Sequence, residues 1–172
     1  MLASIAFLAT RARRPAFAAK LDALALATAE VTVLYVSVGL ITGMLWGRPV
    51  WGIWWTWDAR LTSFLMLFLL YVSYLIVRRF SSTQSPVIAA VISIFAGIDV
   101  PIVFMSIRWW RTQHPSPVLT GDGSLDRSMW PALLWNFAAW LLWGCTLIWA
   151  RYVLVTREQE AAENAALQAL EV

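Results

Sequence analysis

Four long apolar runs decide what this chain can fold into. In the 172-residue sequence they extend over about 24–45, 61–77, 87–107 and 130–150. Because a helix needs roughly 20 apolar residues to cross the hydrocarbon core of a bilayer, each run predicts one membrane span. The first ten residues, eight of them apolar, predict a half-span, or a short segment lying against the other helices. The sequence therefore predicts an all-α, polytopic membrane helix bundle of four full spans plus a short N-terminal half-span.

The composition excludes an ordinary soluble domain. Apolar residues make up 60% of the chain and charged residues only 13%, too few polar side chains to cover a water-exposed surface. The length allows one bundle, predicted over 1–156, and the weakly amphipathic pattern of 157–172 predicts a helical tail. The single cysteine, Cys145, excludes an internal disulfide, a Cys-x-x-Cys redox pair and a thiolate metal cluster. No phosphate-binding glycine loop, nucleic-acid motif or internal repeat is found.

The basic residues predict the orientation in the membrane. Eight fall on one side: Arg11, Arg13, Arg14, Lys20, Arg78, Arg79, Arg151 and Arg157. Five fall on the other: Arg48, Arg60, Arg108, Arg111 and Arg127. The first group lies in short loops at helix ends, where the positive-inside rule has most force, so we expect it in the cytoplasm. The loops 46–60 and 108–129 are then both external, and the tail 157–172 is cytoplasmic.

The first external loop is crowded with aromatic residues. Five tryptophans lie within twelve positions: Trp46, Trp51, Trp54, Trp55 and Trp57. The middle three are spaced i, i+3 and i+4, so one turn of helix would place them on one face, and Asp58 would continue it. Two interpretations stay open, an aromatic belt at the headgroup level and a wall for a flat apolar ligand.

Two charged residues close this loop. Asp58 precedes the second apolar run, where a carboxylate caps exposed N–H groups and complements the helix dipole. Arg60 lies near the membrane interface and has two interpretations. It either snorkels to water or forms a fork-shaped ion pair with a carboxylate of a ligand above the tryptophans.

The second external loop contains the only histidine of the chain, His114. An exposed loop histidine usually has no ligand, but a neutral imidazole is also a common axial ligand of heme iron. Four residues shortly before it could support a ring or its propionates: Arg108, Trp109, Trp110 and Arg111. Aromatic faces, arginines and one imidazole on the same side of the membrane suit a planar metalloporphyrin, for which His114 supplies one axial position.

Two stretches resemble the CcmC family, the heme-handling membrane proteins of system I cytochrome c maturation. Residues 42–63 are similar to the family's Trp-rich WWD signature almost position by position, and 100–114 follow the pattern that leads into its external histidine. The resemblance implies that the Trp-rich loop holds heme b at the periplasmic face of a bacterial inner membrane, with His114 as axial ligand. It also implies transfer to the heme chaperone CcmE beside CcmD and the CcmAB transporter, by a scaffold that is not an enzyme.

One departure from the family concerns the start of the chain. Family members have six spans and a second axial histidine in an earlier external loop, and this chain has neither. We expect it to be a fragment that begins within the second span. The alternative is a short variant whose second iron ligand comes from water, a partner or a second subunit.

Two other functional classes stay open. One is a porphyrin receptor or transporter resembling the five-span, tryptophan-rich translocator proteins. The translocator proteins have tryptophans in all of their spans, whereas the tryptophans of this chain concentrate in the external loops and the final helix. The other is a structural subunit whose tryptophans serve only as membrane anchors.

Overall fold

The computed structural model describes residues 1–80, 85–115 and 125–170. These residues form five α-helices and one 3-10 turn, Arg127–Met129, without a strand: α1 Leu2–Thr10, α2 Pro15–Trp51, α3 Ala59–Phe80, α4 Ser85–Trp109 and α5 Trp130–Leu170. Helices α2 to α5 are each long and apolar enough to cross a membrane. The predicted all-α bundle of four spans is confirmed. Residues 116–124 of the predicted loop 108–129 lie outside the described residues.

Helix α2 is longer than the predicted span 24–45 at both ends. It begins at Pro15, whose fixed φ and missing N–H suit the first helical position. It ends at Trp51, because the next residue, Gly52, has a left-handed φ of 78° and caps the helix. The Gly52 N–H donates to Arg48 O at 3.0 Å. Trp46 to Trp51 are therefore helical and not part of a loop. The predicted helical turn through Trp54 and Asp58 is wrong, since Gly52 ends the helix before it.

Helices α2, α3 and α4 share the main core. Its buried members are small on α2 and α4 and larger on α3: Ala29, Val36, Leu67, Tyr71, Tyr74, Ala89, Ala96 and Val103. Small side chains let helix backbones approach closely in a bilayer. The same close approach occurs between Gly39 of α2 and Phe64 of α3, because an added Cβ at Gly39 would lie 3.0 Å from the Phe64 ring.

Helix α1 packs against α2 and α4 through a separate small cluster of Phe7, Ala18 and Ala90. Of the two arrangements predicted for the start of the chain, a short helix lying against the bundle matches this packing. It adds a buried contact at the end of the bundle where α2 begins.

Of the long helices that the structure describes, only α2 packs against α5. The Tyr35 hydroxyl donates to Trp140 O at 2.8 Å, and the two rings meet edge to face at 5.4 Å. Arg151 forms an ion pair with Glu30 and a second one with Glu158 at 3.1 Å. The helix runs unbroken from the fourth span through Leu170, so the predicted tail is helical over its described part and continues the span.

Candidate functional site

A cavity of about 500 Å³ lies where α2 ends and α3 begins. Its volume is within the range of small-molecule and cofactor sites. The α2 residues that line it start at Gly39 and continue to Trp51. The segment that connects the two helices and the first turns of α3 close it, together with His114 from the segment after α4. The topology therefore brings both predicted external loops to one cavity.

The wall of the cavity is aromatic. The rings of Trp46 and Trp51 pack edge to face, with their centroids 5.1 Å apart. The Trp51 ring and the imidazole of His114 also pack edge to face, with their centroids 5.0 Å apart. Gly47 lets the Trp51 ring lie close to the helix, because a Cβ there would be 3.3 Å from Trp51 Cε3. Edge-to-face rings of this kind stabilise one another and fix the imidazole against a tryptophan.

Asp58 lies behind His114 and links the two loops. Its Oδ1 accepts from the backbone N–H of Leu61 at 2.8 Å, which confirms the predicted helix cap. Its Oδ2 accepts from the Thr112 hydroxyl at 2.6 Å and lies 3.0 Å from His114 Nδ1. The Asp58 side chain is only 7% exposed, so these contacts replace most of the water that a carboxylate would bind.

The electrostatics of this cluster keep Asp58 ionised. Burial raises the pKa of Asp58, but the hydrogen bonds from Leu61, Thr112 and His114 and the attraction of a charged imidazole together hold this pKa below its ordinary value. At neutral pH the group facing His114 is therefore a carboxylate.

The structure separates the residues predicted for the site into two sets. Six of them line the cavity: Trp46, Trp51, Trp54, Trp55, Arg60 and His114. Arg60 also donates from Nη1 to Val103 O at 3.2 Å, which ties the start of α3 to α4. Asp58 does not line the cavity itself but contacts His114, which does.

The remaining predicted residues lie outside the cavity lining. Trp57 is 75% exposed and packs against Trp55 at 5.5 Å. Trp109 and Trp110 are exposed and contact each other at 5.8 Å. Arg108 and Arg111 precede His114 without lining the cavity. A propionate-binding role for these two arginines stays a prediction.

Sequence reasoning gave no role to Thr112, which lies between the carboxylate and the histidine. Its oxygen accepts the backbone N–H of His114 at 3.2 Å. A hydroxyl two residues before a loop histidine is a signal of such a local turn. Trp55 adds a second unforeseen feature, because its Nε1 is buried and has no hydrogen-bond partner among the described residues.

Within the described part of the chain, no group of three or more His, Cys, Asp or Glu side chains could hold a metal ion. A bare metal centre built from protein ligands is therefore not formed by these residues. The arrangement that they do form is one imidazole beside an aromatic cavity.

Comparison with known proteins identifies relatives of this chain. The model of the CcmC family, described as heme exporter protein C, matches residues 1–166. Heme exporter protein C of Bradyrhizobium diazoefficiens is 41% identical over 130 residues, which cover 73% of this chain and 49% of that protein. Heme exporter protein C of Escherichia coli is 37% identical over 123 residues, covering 70% of this chain and 50% of that protein.

A mitochondrial relative extends the comparison. A ccmC-like protein of Arabidopsis thaliana, named for cytochrome c biosynthesis, is 37% identical over 129 residues, covering 74% of this chain and 47% of that protein. The chain spans about half the length of the relatives that it matches.

Proposed function

Because this chain belongs to the CcmC family of heme exporter proteins, we propose that it binds heme in the aromatic cavity and presents it for transfer to the chaperone CcmE. The observation that carries the proposal is the chain's only histidine in the wall of a cavity lined by four tryptophans. The family match favours this function over a translocator-type porphyrin receptor.

The residues present suit a heme substrate in both chemistry and arrangement. Tryptophan faces offer apolar area to a flat macrocycle, and the imidazole of His114 offers a nitrogen to iron. Arg60 lines the same cavity and supplies a cation for a propionate. The bound substrate is heme b, and the chain acts as a scaffold that holds and hands it over without catalysing a reaction.

The proposed orientation in the membrane comes from the basic residues. Eight basic residues at one set of helix ends, against five at the other, favour a cytoplasmic location for the first set. The cavity then opens at the periplasmic face of a bacterial inner membrane. The proposed partners are CcmE, which receives heme, with CcmD and the CcmAB transporter in the same system.

The first test removes two tryptophans of the wall. Trp54→Ala with Trp55→Ala is expected to weaken heme binding by about a hundredfold or more, since burying each large aromatic side chain contributes about 1.5–3 kcal/mol and 1.4 kcal/mol is tenfold. Heme titration followed by the Soret band measures the affinity, and loading of CcmE measures delivery.

A matched control changes two exposed tryptophans of α5, Trp135→Ala with Trp143→Ala, which lie outside the cavity. This variant is expected to bind heme like the unmodified chain. If the loop variant keeps its heme affinity and its delivery to CcmE, the loop is a membrane anchor and the proposed function fails.

A finer test concerns the indole N–H of Trp55. We expect this unpartnered donor to bind an oxygen of a propionate, so Trp55→Phe, which keeps an aromatic face, should weaken heme binding up to about tenfold. Trp54→Phe is the matched control, because it changes the neighbouring ring of the same cavity. Equal affinities of the two variants in a heme titration would contradict a specific role for the Trp55 N–H.

A further inference from the structure

The imidazole of His114 faces hydrogen-bond acceptors on its Nδ1 side. Asp58 Oδ2 lies 3.0 Å from Nδ1, and the Thr112 oxygen lies 3.1 Å from the same atom. An ionised carboxylate has no proton to donate. Whether Thr112 can donate to Nδ1 therefore decides where the ring proton lies.

The Thr112 hydroxyl proton already takes part in another hydrogen bond. It is donated to Asp58 Oδ2 at 2.6 Å, while the oxygen accepts the backbone N–H of His114 at 3.2 Å. A hydroxyl has one proton and two lone pairs, so Thr112 can only accept at Nδ1. Both neighbours of Nδ1 are thus acceptors, and a neutral ring satisfies them only with its proton on Nδ1.

We propose that Asp58 and Thr112 are a positioning pair that holds the proton of His114 on Nδ1 and so keeps Nε2 free to coordinate iron. The pair joins the segment before α3 to the segment after α4, while Trp51 limits rotation of the ring from its side. Histidines that bind metals generally donate their other ring N–H to a carboxylate or carbonyl in this way. The coordination half of the inference rests on the proposed heme binding, whereas the position of the proton does not.

The substitution Asp58→Asn tests the position of the proton. An asparagine oxygen can still accept from Leu61 N and cap α3, whereas its NH₂ group would face Nδ1 as a donor. The ring is then expected to move its proton to Nε2. Asp126→Asn is the matched control, since Asp126 caps the turn at Arg127–Met129 and does not line the cavity.

The measurement uses the single histidine of the chain. Heme-free protein labelled with ¹⁵N-histidine and purified without a histidine tag gives the two ring nitrogens of His114 alone. Spectra in micelles at alkaline pH, where imidazole is neutral, are expected to show Nδ1–H in the unmodified chain and in Asp126→Asn, and Nε2–H in Asp58→Asn. An Nε2–H ring in the unmodified chain, or an Nδ1–H ring in Asp58→Asn, overturns the assignment.

Heme titrations then test the consequence for coordination. Asp58→Asn is expected to lower heme affinity by about tenfold to a hundredfold, the usual effect of removing such a partner, with an unchanged thermal midpoint. Thr112→Val should lower heme affinity as well. Thr112→Ser keeps the hydroxyl and should bind heme with the affinity of the unmodified chain. Unchanged affinity in Asp58→Asn despite a moved proton overturns the positioning role.

The same experiments separate this inference from the proposed function. If neither the unmodified chain nor any variant binds heme, while the ring protons lie as expected, the proposed function fails and the assignment of the proton stands. If heme binds tightly but the ring proton is on Nε2 in the unmodified chain, the positioning pair fails and heme binding stands.

Discussion

Replacing His114 with alanine is expected to lower heme affinity by more than about a hundredfold and to remove or shift the Soret band. The imidazole is the only one in the chain, and it lines the cavity. Loss of a partner behind a metal ligand already costs about 10–100-fold in metal affinity, so loss of the ligand itself should cost more. Absorption spectra of the detergent-purified protein with heme supplied measure both the affinity and the coordination.

Two controls make this result specific. Gln113→Ala changes the exposed neighbour in the same loop and is expected to leave the spectrum unchanged. Excess free imidazole should restore part of the Soret band of His114→Ala, because the space left by the ring lies between Trp51 and Asp58. An identical spectrum and affinity in His114→Ala would show that another group binds the iron.

The sequence predicted the number and type of the spans because uninterrupted apolar length is a local property. The ends of the spans were harder to place. Helix α2 extends beyond the apolar run 24–45 because Pro15 starts it and only the left-handed turn at Gly52 stops it. Pro49 lies inside the same helix without ending it. Hydropathy measures none of these backbone effects.

The tryptophan site was predicted in its members but not in its form. The i, i+3, i+4 spacing indicated one helical face, whereas Trp51 lies on α2 and Trp54 follows the break at Gly52. Both side chains line one cavity because the chain turns there, which spacing alone does not reveal. The residue types already suggested a planar metalloporphyrin, and the resemblance to the CcmC family added the expectation of heme b.

The link between Asp58 and His114 could not be predicted from local sequence. The two residues are 56 positions apart and meet only because α3 and α4 run antiparallel and pack along their length. Capping by Asp58 was predictable, since it depends on Leu61 three residues later. One carboxylate thus performs a local role that the sequence indicates and a long-range role that only the fold creates.

At the opposite end of α2, Asp22 and Arg78 form an ion pair between α2 and α3. Two parallel hydrogen bonds of 2.9 Å and 2.8 Å join them, and their side chains are 11% and 13% exposed. Because removing one partner leaves the other charge buried, Arg78→Gln is expected to lower the free energy of unfolding by about 3–5 kcal/mol. Denaturant titration of the protein in mixed micelles, followed by tryptophan fluorescence, measures this loss.

The neighbouring Arg79 provides the matched control for this pair, since it is exposed and Arg79→Gln should change the free energy of unfolding by less than about 0.5 kcal/mol. The double variant Asp22→Asn with Arg78→Gln should lose less than the sum of its single variants, because the second substitution removes a charge that the first left unpaired. Equal losses for Arg78→Gln and Arg79→Gln would mean that the pair does not hold α2 to α3. The aromatic cavity lies between the far ends of the same two helices. If it binds heme as proposed, Arg78→Gln should also weaken that binding. The Soret position should not change, since His114 and Asp58 keep their contacts in the molecules that remain folded.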